Sequence, residues 1–189
     1  MTFEEIEKNE TIRAYISKAD ESLVALGYTE HSFAHVTHVA AMAGYLLETL
    51  GYDAHTVELA KIAGYLHDIG NLVNRIEHSQ SGAVMAFQIL TSLGFGAEDV
   101  ATIVTAIGNH DEGTGVPVNA VAAALILADK ADVRRSRVRN QDTTTFDIHD
   151  RVNYSVKKST LKINEDRTLV KLKLMVDTHF GSVMDYFEI

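Results

Sequence analysis

Two aspartates lie where an apolar helix would bury their charge. Asp68 follows His67 in "GYLHDIGN" (64–71), and Asp129 follows the apolar run "AVAAALILA" (120–128). A buried carboxylate is unfavourable unless a partner compensates its charge. One cation between the two aspartates would compensate both, and imidazole is a ligand suited to borderline divalent metals. The sequence therefore predicts that these residues meet at a metal ion.

The elements that must position these residues are helical. Apolar residues recur at the helical period through the first 140 residues, and glycines and the single proline mark helix boundaries. The predicted helices cover residues 8–26, 33–50, 55–68, 79–92, 97–110 and 118–138.

Beyond residue 140 the pattern changes. Residues 161–163 and 170–176, on either side of the turn "NEDR", alternate as in a β-hairpin. Residues 151–158 fit either a short helix or a leading strand. The end of the chain, 179–189, predicts a terminal helix whose apolar side could serve a homodimer.

Composition limits the functions open to the chain. Its 189 residues predict one domain, and the lack of cysteine leaves histidine and carboxylates as the metal ligands. The formal net charge of −9 argues against a broad nucleic-acid surface but not against a small phosphorylated substrate. No secretory signal or membrane-spanning run is visible, so a cytoplasmic protein without membrane contact is the expectation.

The sequence resembles the HD-domain metal-dependent phosphohydrolase superfamily. His35 in "HVTHVA", His67 and Asp68 in "YLHDIG", and Asp129 in "LADKAD" match its H…HD…D pattern in order and context, and the resemblance covers about residues 30–135. It implies a mainly α fold, a helical bundle with its metal at the centre. We expect a helical core over 1–140 and a C-terminal extension over 141–189, comprising a loop, a small β-hairpin and a terminal helix, on the same domain.

The resemblance also implies a second metal. His78 and His110 fall where the two-metal branches of the superfamily place another pair of imidazoles, with Asp68 bridging the ions. The cofactor is then one or two divalent ions of Mn, Fe, Mg, Co, Ni or Zn. One departure concerns the substrate: many relatives carry Lys after "HDIG", whereas this chain has Asn71.

The expected reaction is hydrolysis of a phosphoester or phosphoanhydride bond, in a nucleotide, by a water that the metal activates. Asp68 and His67 would act at the metal, and Asp132 is one candidate donor of the leaving-group proton. The arginine-rich run "DVRRSRVRN" (132–140) is interpreted first as a solvated helix end. Its rival role is to bind substrate phosphate through Arg134 and Arg137. Lys130, next to Asp129 and outside this run, is a further candidate for substrate binding at the edge of the pocket.

Two other classes remain open from the sequence. Some proteins with these ligands hold a di-iron centre and use O2 to cleave C–C or C–P bonds, which oxygen consumption would reveal. A non-catalytic nucleotide-binding regulator is the third interpretation, although the complete ligand set disfavours it.

Overall fold

The computed structural model of the protein describes residues 1–188, and most of them are helical. This confirms the mainly α prediction with a small hairpin. Among these residues, no helix combines the length and apolar character that crossing a membrane requires. The elements are α1 (Phe3–Lys8), α2 (Glu10–Leu26), α3 (Phe33–Leu50), α4 (Ala54–Leu66), α5 (His78–Ser92), α6 (Ala97–Gly108), α7 (Ala120–Ala131), α8 (Ile148–Ser155), β1 (Val156–Ile163), β2 (Val170–Val176) and α9 (Val183–Tyr186).

Two helix boundaries differ from the prediction. The first helix, expected over 8–26, is two helices, because Asn9 leaves the helical conformation and its side chain caps α2 at the backbone N–H of Ile12. The helix expected over 118–138 ends at Ala131, because Asp132 is not helical. The chain after Asp132 instead follows an irregular path that its side chains stabilise.

Helices α3, α4 and α7 pack against one another at the centre of the molecule. The contact between α3 and α4 depends on Gly64, where an added Cβ would lie 2.7 Å from the Cα of Ala40. Only glycine permits this approach of the two backbones. Their apolar faces join one core that also includes buried residues of α2, α5 and α6.

The C-terminal hairpin covers part of this core. β1 and β2 pair antiparallel, with Leu161 opposite Leu172 and Ile163 opposite Val170. These four side chains pack on the main core, so the hairpin is fixed to the helices by its apolar face.

The segment before the hairpin contains both elements that the sequence left open. Residues 148–155 are helix α8, and strand β1 begins directly at Val156. The terminal helix is shorter than expected: α9 starts at Val183, where Ser182 and Asp185 form a capping box, and ends at Tyr186. Ile189, the last residue of that predicted helix, lies outside the described residues.

Candidate metal centre

The candidate ligands lie at helix ends that converge on one point. His35 is in the first turn of α3, His67 directly follows α4, His78 begins α5, His110 lies two residues after α6, and Asp129 is in the last turn of α7. The histidines are all buried. Residues spread over almost a hundred positions thus form one cluster in the interior.

Gly70 allows the start of α5 to reach this cluster. After Asp68 the chain turns through a short 3₁₀ helix, Ile69–Leu72. A Cβ at Gly70 would lie 1.9 Å from the carbonyl oxygen of His78 and 2.4 Å from the backbone nitrogen of Gly82. Glycine is therefore required here for His78 to approach Asp68.

The four imidazoles share one orientation. In each ring Nδ1 faces an oxygen that can only accept a hydrogen bond, so Nδ1 carries a proton and Nε2 points into the cluster. The partners are the Asp132 carboxylate at 2.8 Å for His35, and the carbonyl oxygens of Gly64 at 2.8 Å for His67, Arg75 at 3.1 Å for His78 and Ile107 at 2.6 Å for His110. This arrangement is typical of histidines that bind metal through Nε2.

The atoms that point inward are nitrogens and carboxylate oxygens. Nε2 of His35 lies 3.2 Å from Oδ1 of Asp129 and 3.3 Å from Nε2 of His67. Nε2 of His67 lies 3.3 Å from Oδ2 of Asp68. Two groups of three residues could each hold a metal ion, because the ligand atoms within each group lie within 4.8 Å of one another. The first group is His35, His67 and Asp129, and the second is His67, Asp68 and His110.

Asp68 provides the test of whether a metal fits. Its Oδ2 atom is buried without a hydrogen-bond partner, while its Oδ1 accepts a hydrogen bond of 3.0 Å from Asn71. Native proteins seldom leave a buried carboxylate oxygen unsatisfied. A divalent cation beside Oδ2 would satisfy it, and the nitrogen and oxygen donors around it suit such an ion.

The electrostatics of the cluster also favour a cation. Burial lowers the pKa of His67, but Asp68 and Asp129 outweigh burial and raise that pKa to about 10. Burial opposes ionisation of Asp68, yet the charge of His67 and contacts with other histidines hold its pKa well below the usual range. Asp68 and Asp129 therefore stay ionised, and their negative charges stabilise a positive charge placed between them.

Asp132 is placed differently from its predicted role. Its side chain is only 3% exposed and lies behind His35, away from the cavity described below. Burial opposes its ionisation, but His35 and two arginines hold its pKa below the usual range. As an ionised group without access to the cavity, Asp132 cannot supply the leaving-group proton; it orients His35.

The arginine run is not a solvated helix end, and that interpretation is wrong. Arg134 forms ion pairs with Glu30 at 2.8 Å and with Asp132 at 2.9 Å. It does not line the cavity described below, so the structure does not place it for the phosphate contact that the sequence suggested. Arg137 is buried and donates hydrogen bonds to two backbone carbonyls, but it does line the cavity. Arg139 donates to both carboxylate oxygens of Asp20.

A cavity of about 290 Å³ opens from the cluster. Asp68, Asp129, His78 and His110 form its metal-facing side. Lys130 also lines it, next to Glu112, to which its ammonium group donates. The sequence did not assign several other residues of the lining to the site, because no match to the family pattern marks them; they include Arg75, Asp111, His149 and Tyr186.

Comparison with known proteins identifies the family. A model of the HD domain family matches residues 32–151, which is more than half of the chain. The chain belongs to the HD domain family. Proteins with HD domains bind divalent metals, and the HD domain of this chain supplies the two ligand triads that could hold one.

The relatives indicate a hydrolase. The chain is 25% identical over 96% of its length to an uncharacterised protein of Methanocaldococcus jannaschii, covering 78% of that protein. Over 63% of its length it is 30% identical to ribonuclease Y of Bacillus subtilis, of which it spans 21%. A crystal structure of a predicted HD superfamily hydrolase from an uncultured Thermotogales bacterium aligns with a TM-score of 0.51 and 25% identity, covering 69% of this chain and 73% of that one. At the level of the superfamily, the HD domain and this neighbour support a metal-dependent HD hydrolase.

Proposed function

We propose that the protein hydrolyses a phosphoester or phosphoanhydride bond of a small phosphorylated compound, a nucleotide being the foremost candidate. One observation carries the proposal: the inward-facing nitrogens and carboxylates border a cavity that is also lined by Arg75 and Lys130. A site with metal ligands on one side and cations on another is suited to a phosphate group.

His35, His67, Asp68 and Asp129 would hold the first metal ion, with His78 and His110 holding a second. Asp68 is the proposed bridge, since its Oδ2 faces His67 while its Oδ1 lies 3.4 Å from Nε2 of His78. Divalent ions bound there would polarise a phosphoryl oxygen and lower the pKa of a bound water. Asn71 keeps the Asp68 carboxylate in this orientation by donating to its Oδ1.

Arg75 is the proposed phosphate-binding cation in place of the Lys that many relatives carry after "HDIG". Asn71 is buried against Asp68 and does not line the cavity. The Arg75 guanidinium lies 3.3 Å from Nε2 of His78 and 5.9 Å from the centre of the Tyr28 ring, at the wall of the cavity. Lys130 and Arg137 remain proposed contacts because they border the same space.

The size of the cavity supports a small substrate. Ligand pockets span roughly 300–1,000 Å³, so a cavity of about 290 Å³ is at the lower end. The name of ribonuclease Y describes an enzyme that acts on RNA, and the nucleotides of RNA are joined by phosphodiester bonds. This relative therefore supports phosphoester chemistry for the HD domain. The cavity favours a monomeric compound over a polymer threaded through the site.

The test combines metal content with turnover. Protein purified without chelators should contain divalent metal and, after reloading with Mn, Fe, Co, Ni or Mg, should release phosphate or a nucleoside from a nucleotide panel. Asp68→Asn should abolish both metal retention and turnover, whereas Asp99→Asn, at an exposed histidine–aspartate pair, should retain both. Metal retention without turnover, accompanied by oxygen consumption, would instead identify a di-iron oxygenase.

A further inference from the structure

The hairpin carries a charge opposite to that of the chain as a whole. β1 and β2 have 8 and 7 residues, and these include five lysines and no aspartate or glutamate. The complete chain has a formal net charge of −9. A net charge is a sum over all faces, so it does not exclude a local basic surface.

The strand register puts four of these lysines on one face. Lys162 is directly opposite Lys171. In the next pair along this face Lys173 is opposite Thr160, and in the pair after that Lys158 is opposite Met175. The other face is held against the core by apolar residues, so the lysines cannot turn inward. We call Lys158, Lys162, Lys171 and Lys173 the lysine face; all four are exposed.

The lysine face has no internal counter-charge. Among residues 1–188, none of its lysines has a carboxylate within 4.0 Å. The acidic residues of the hairpin, Glu165 and Asp166, lie in the turn at its end. Lys157 differs: it sits at an irregularity in the register and pairs with Asp177 at 2.9 Å. Like charges directly opposite one another destabilise a sheet, so the arrangement is suited to an external anion.

We propose that the lysine face binds the phosphate backbone of a single-stranded nucleic acid. A groove of about 290 Å³ runs between the lysines, Thr160 and Met175. Side chains on one face recur about every 6.7 Å along a strand and about 5 Å across it, which offers a regular, narrow row of charges. None of the described residues that line the groove is aromatic, so no base can stack there. The contact is therefore to phosphates and independent of sequence.

Other anionic partners fit the face less well. A membrane surface is held by apolar anchors as well as by charge. Of the described residues that line the groove with the lysines, only Met175 is apolar, and it is 53% exposed. A duplex is stiff and holds its phosphates on two fixed strands, whereas a flexible single strand can place successive phosphates along the row of lysines. The proposal concerns the hairpin alone and does not depend on the metal centre or on its reaction.

The experiment measures how salt affects binding. Fluorescence anisotropy of a labelled 20-nucleotide single strand, as RNA and as DNA, is recorded with the full chain between 50 and 200 mM salt without added metal. Four phosphate contacts predict a slope of log K against log salt of about −3, from −0.7 per contact, which is roughly a 50-fold loss of affinity over this range. RNA and DNA should behave alike, because only phosphates are contacted.

The variant Lys162→Gln/Lys171→Gln should halve the slope to about −1.4. Lys8→Gln/Lys18→Gln is the matched control: it changes the net charge equally, at exposed lysines already paired with Glu4 and Glu21. The control should keep the wild-type slope, and melting temperatures would verify that both variants fold. Absence of binding at 50 mM salt, an unchanged slope in the hairpin variant, or binding only to phosphatidylserine vesicles would overturn the proposal.

Discussion

Replacing Asp132 by Asn tests whether the layer behind the cluster determines metal affinity. The Asp132 carboxylate accepts a hydrogen bond from Nδ1 of His35 at 2.8 Å, and its low pKa means that it carries a full negative charge at neutral pH. Asparagine preserves the size of the side chain and can still accept that bond, but it removes the charge. Arg134 keeps its ion pair with Glu30 at 2.8 Å, so the local structure should be retained.

The magnitude follows from the role of such second-layer carboxylates. Removing the group that orients a metal-binding histidine weakens metal affinity about 10- to 100-fold, which corresponds to about 1.4–2.8 kcal/mol. The effect should fall on binding rather than on folding, since the hydrogen bond survives in neutral form.

Isothermal titration of chelator-treated protein with Mn²⁺ measures this affinity directly. The matched control is Asp99→Asn, because Asp99 makes the same kind of contact, 2.8 Å to Nε2 of His55, away from the cluster and with an exposed histidine. The control should bind Mn²⁺ as the wild type does. If Asp132→Asn also binds Mn²⁺ within twofold of the wild type, His35 is not a ligand held by Asp132.

Three further predictions concern the surroundings of the cluster. Gly70→Ala should destabilise the protein by about 3 kcal/mol or more in urea unfolding, because its Cβ would meet the His78 carbonyl at 1.9 Å; a change under 1 kcal/mol would refute that packing. Asn71→Ala should weaken Mn²⁺ binding about tenfold by freeing the Asp68 carboxylate, and an unchanged Kd would contradict this. Burial lowers the pKa of His110 from 6.5 to about 3, so below pH 6.5 the unfolded state binds a proton that the folded state does not. Chelator-treated protein should therefore lose about 1.4 kcal/mol of unfolding free energy per pH unit as the pH falls below 6.5. His110→Asn should lack this component in urea unfolding at pH 6.5 and 5.

The helices and the cluster could be predicted because their signals are local or belong to a motif. Helical periodicity located α3, α4 and α5 to within one or two residues. An aspartate after an apolar run predicted buried charge at 68 and 129 without any knowledge of the tertiary contacts.

The missed features depend on contacts between distant parts of the chain. Arg134 pairs with Glu30, 104 residues away, and Arg139 with Asp20, 119 residues away. No local pattern distinguishes these arginines from solvated ones. Arg75 lines the cavity from the segment just before α5, whose first turn packs against Gly70. Tertiary packing of this kind produces no residue spacing that the sequence would reveal.

Anomalous diffraction from crystals grown with Mn²⁺ tests most directly whether the buried acids and imidazoles bind metal. We predict a peak at the manganese edge within bonding distance of Nε2 of His35, Nε2 of His67 and the carboxylates of Asp68 and Asp129, and a second peak nearer His78 and His110. A cluster without an anomalous peak, or with manganese bound only elsewhere on the molecule, would contradict the account.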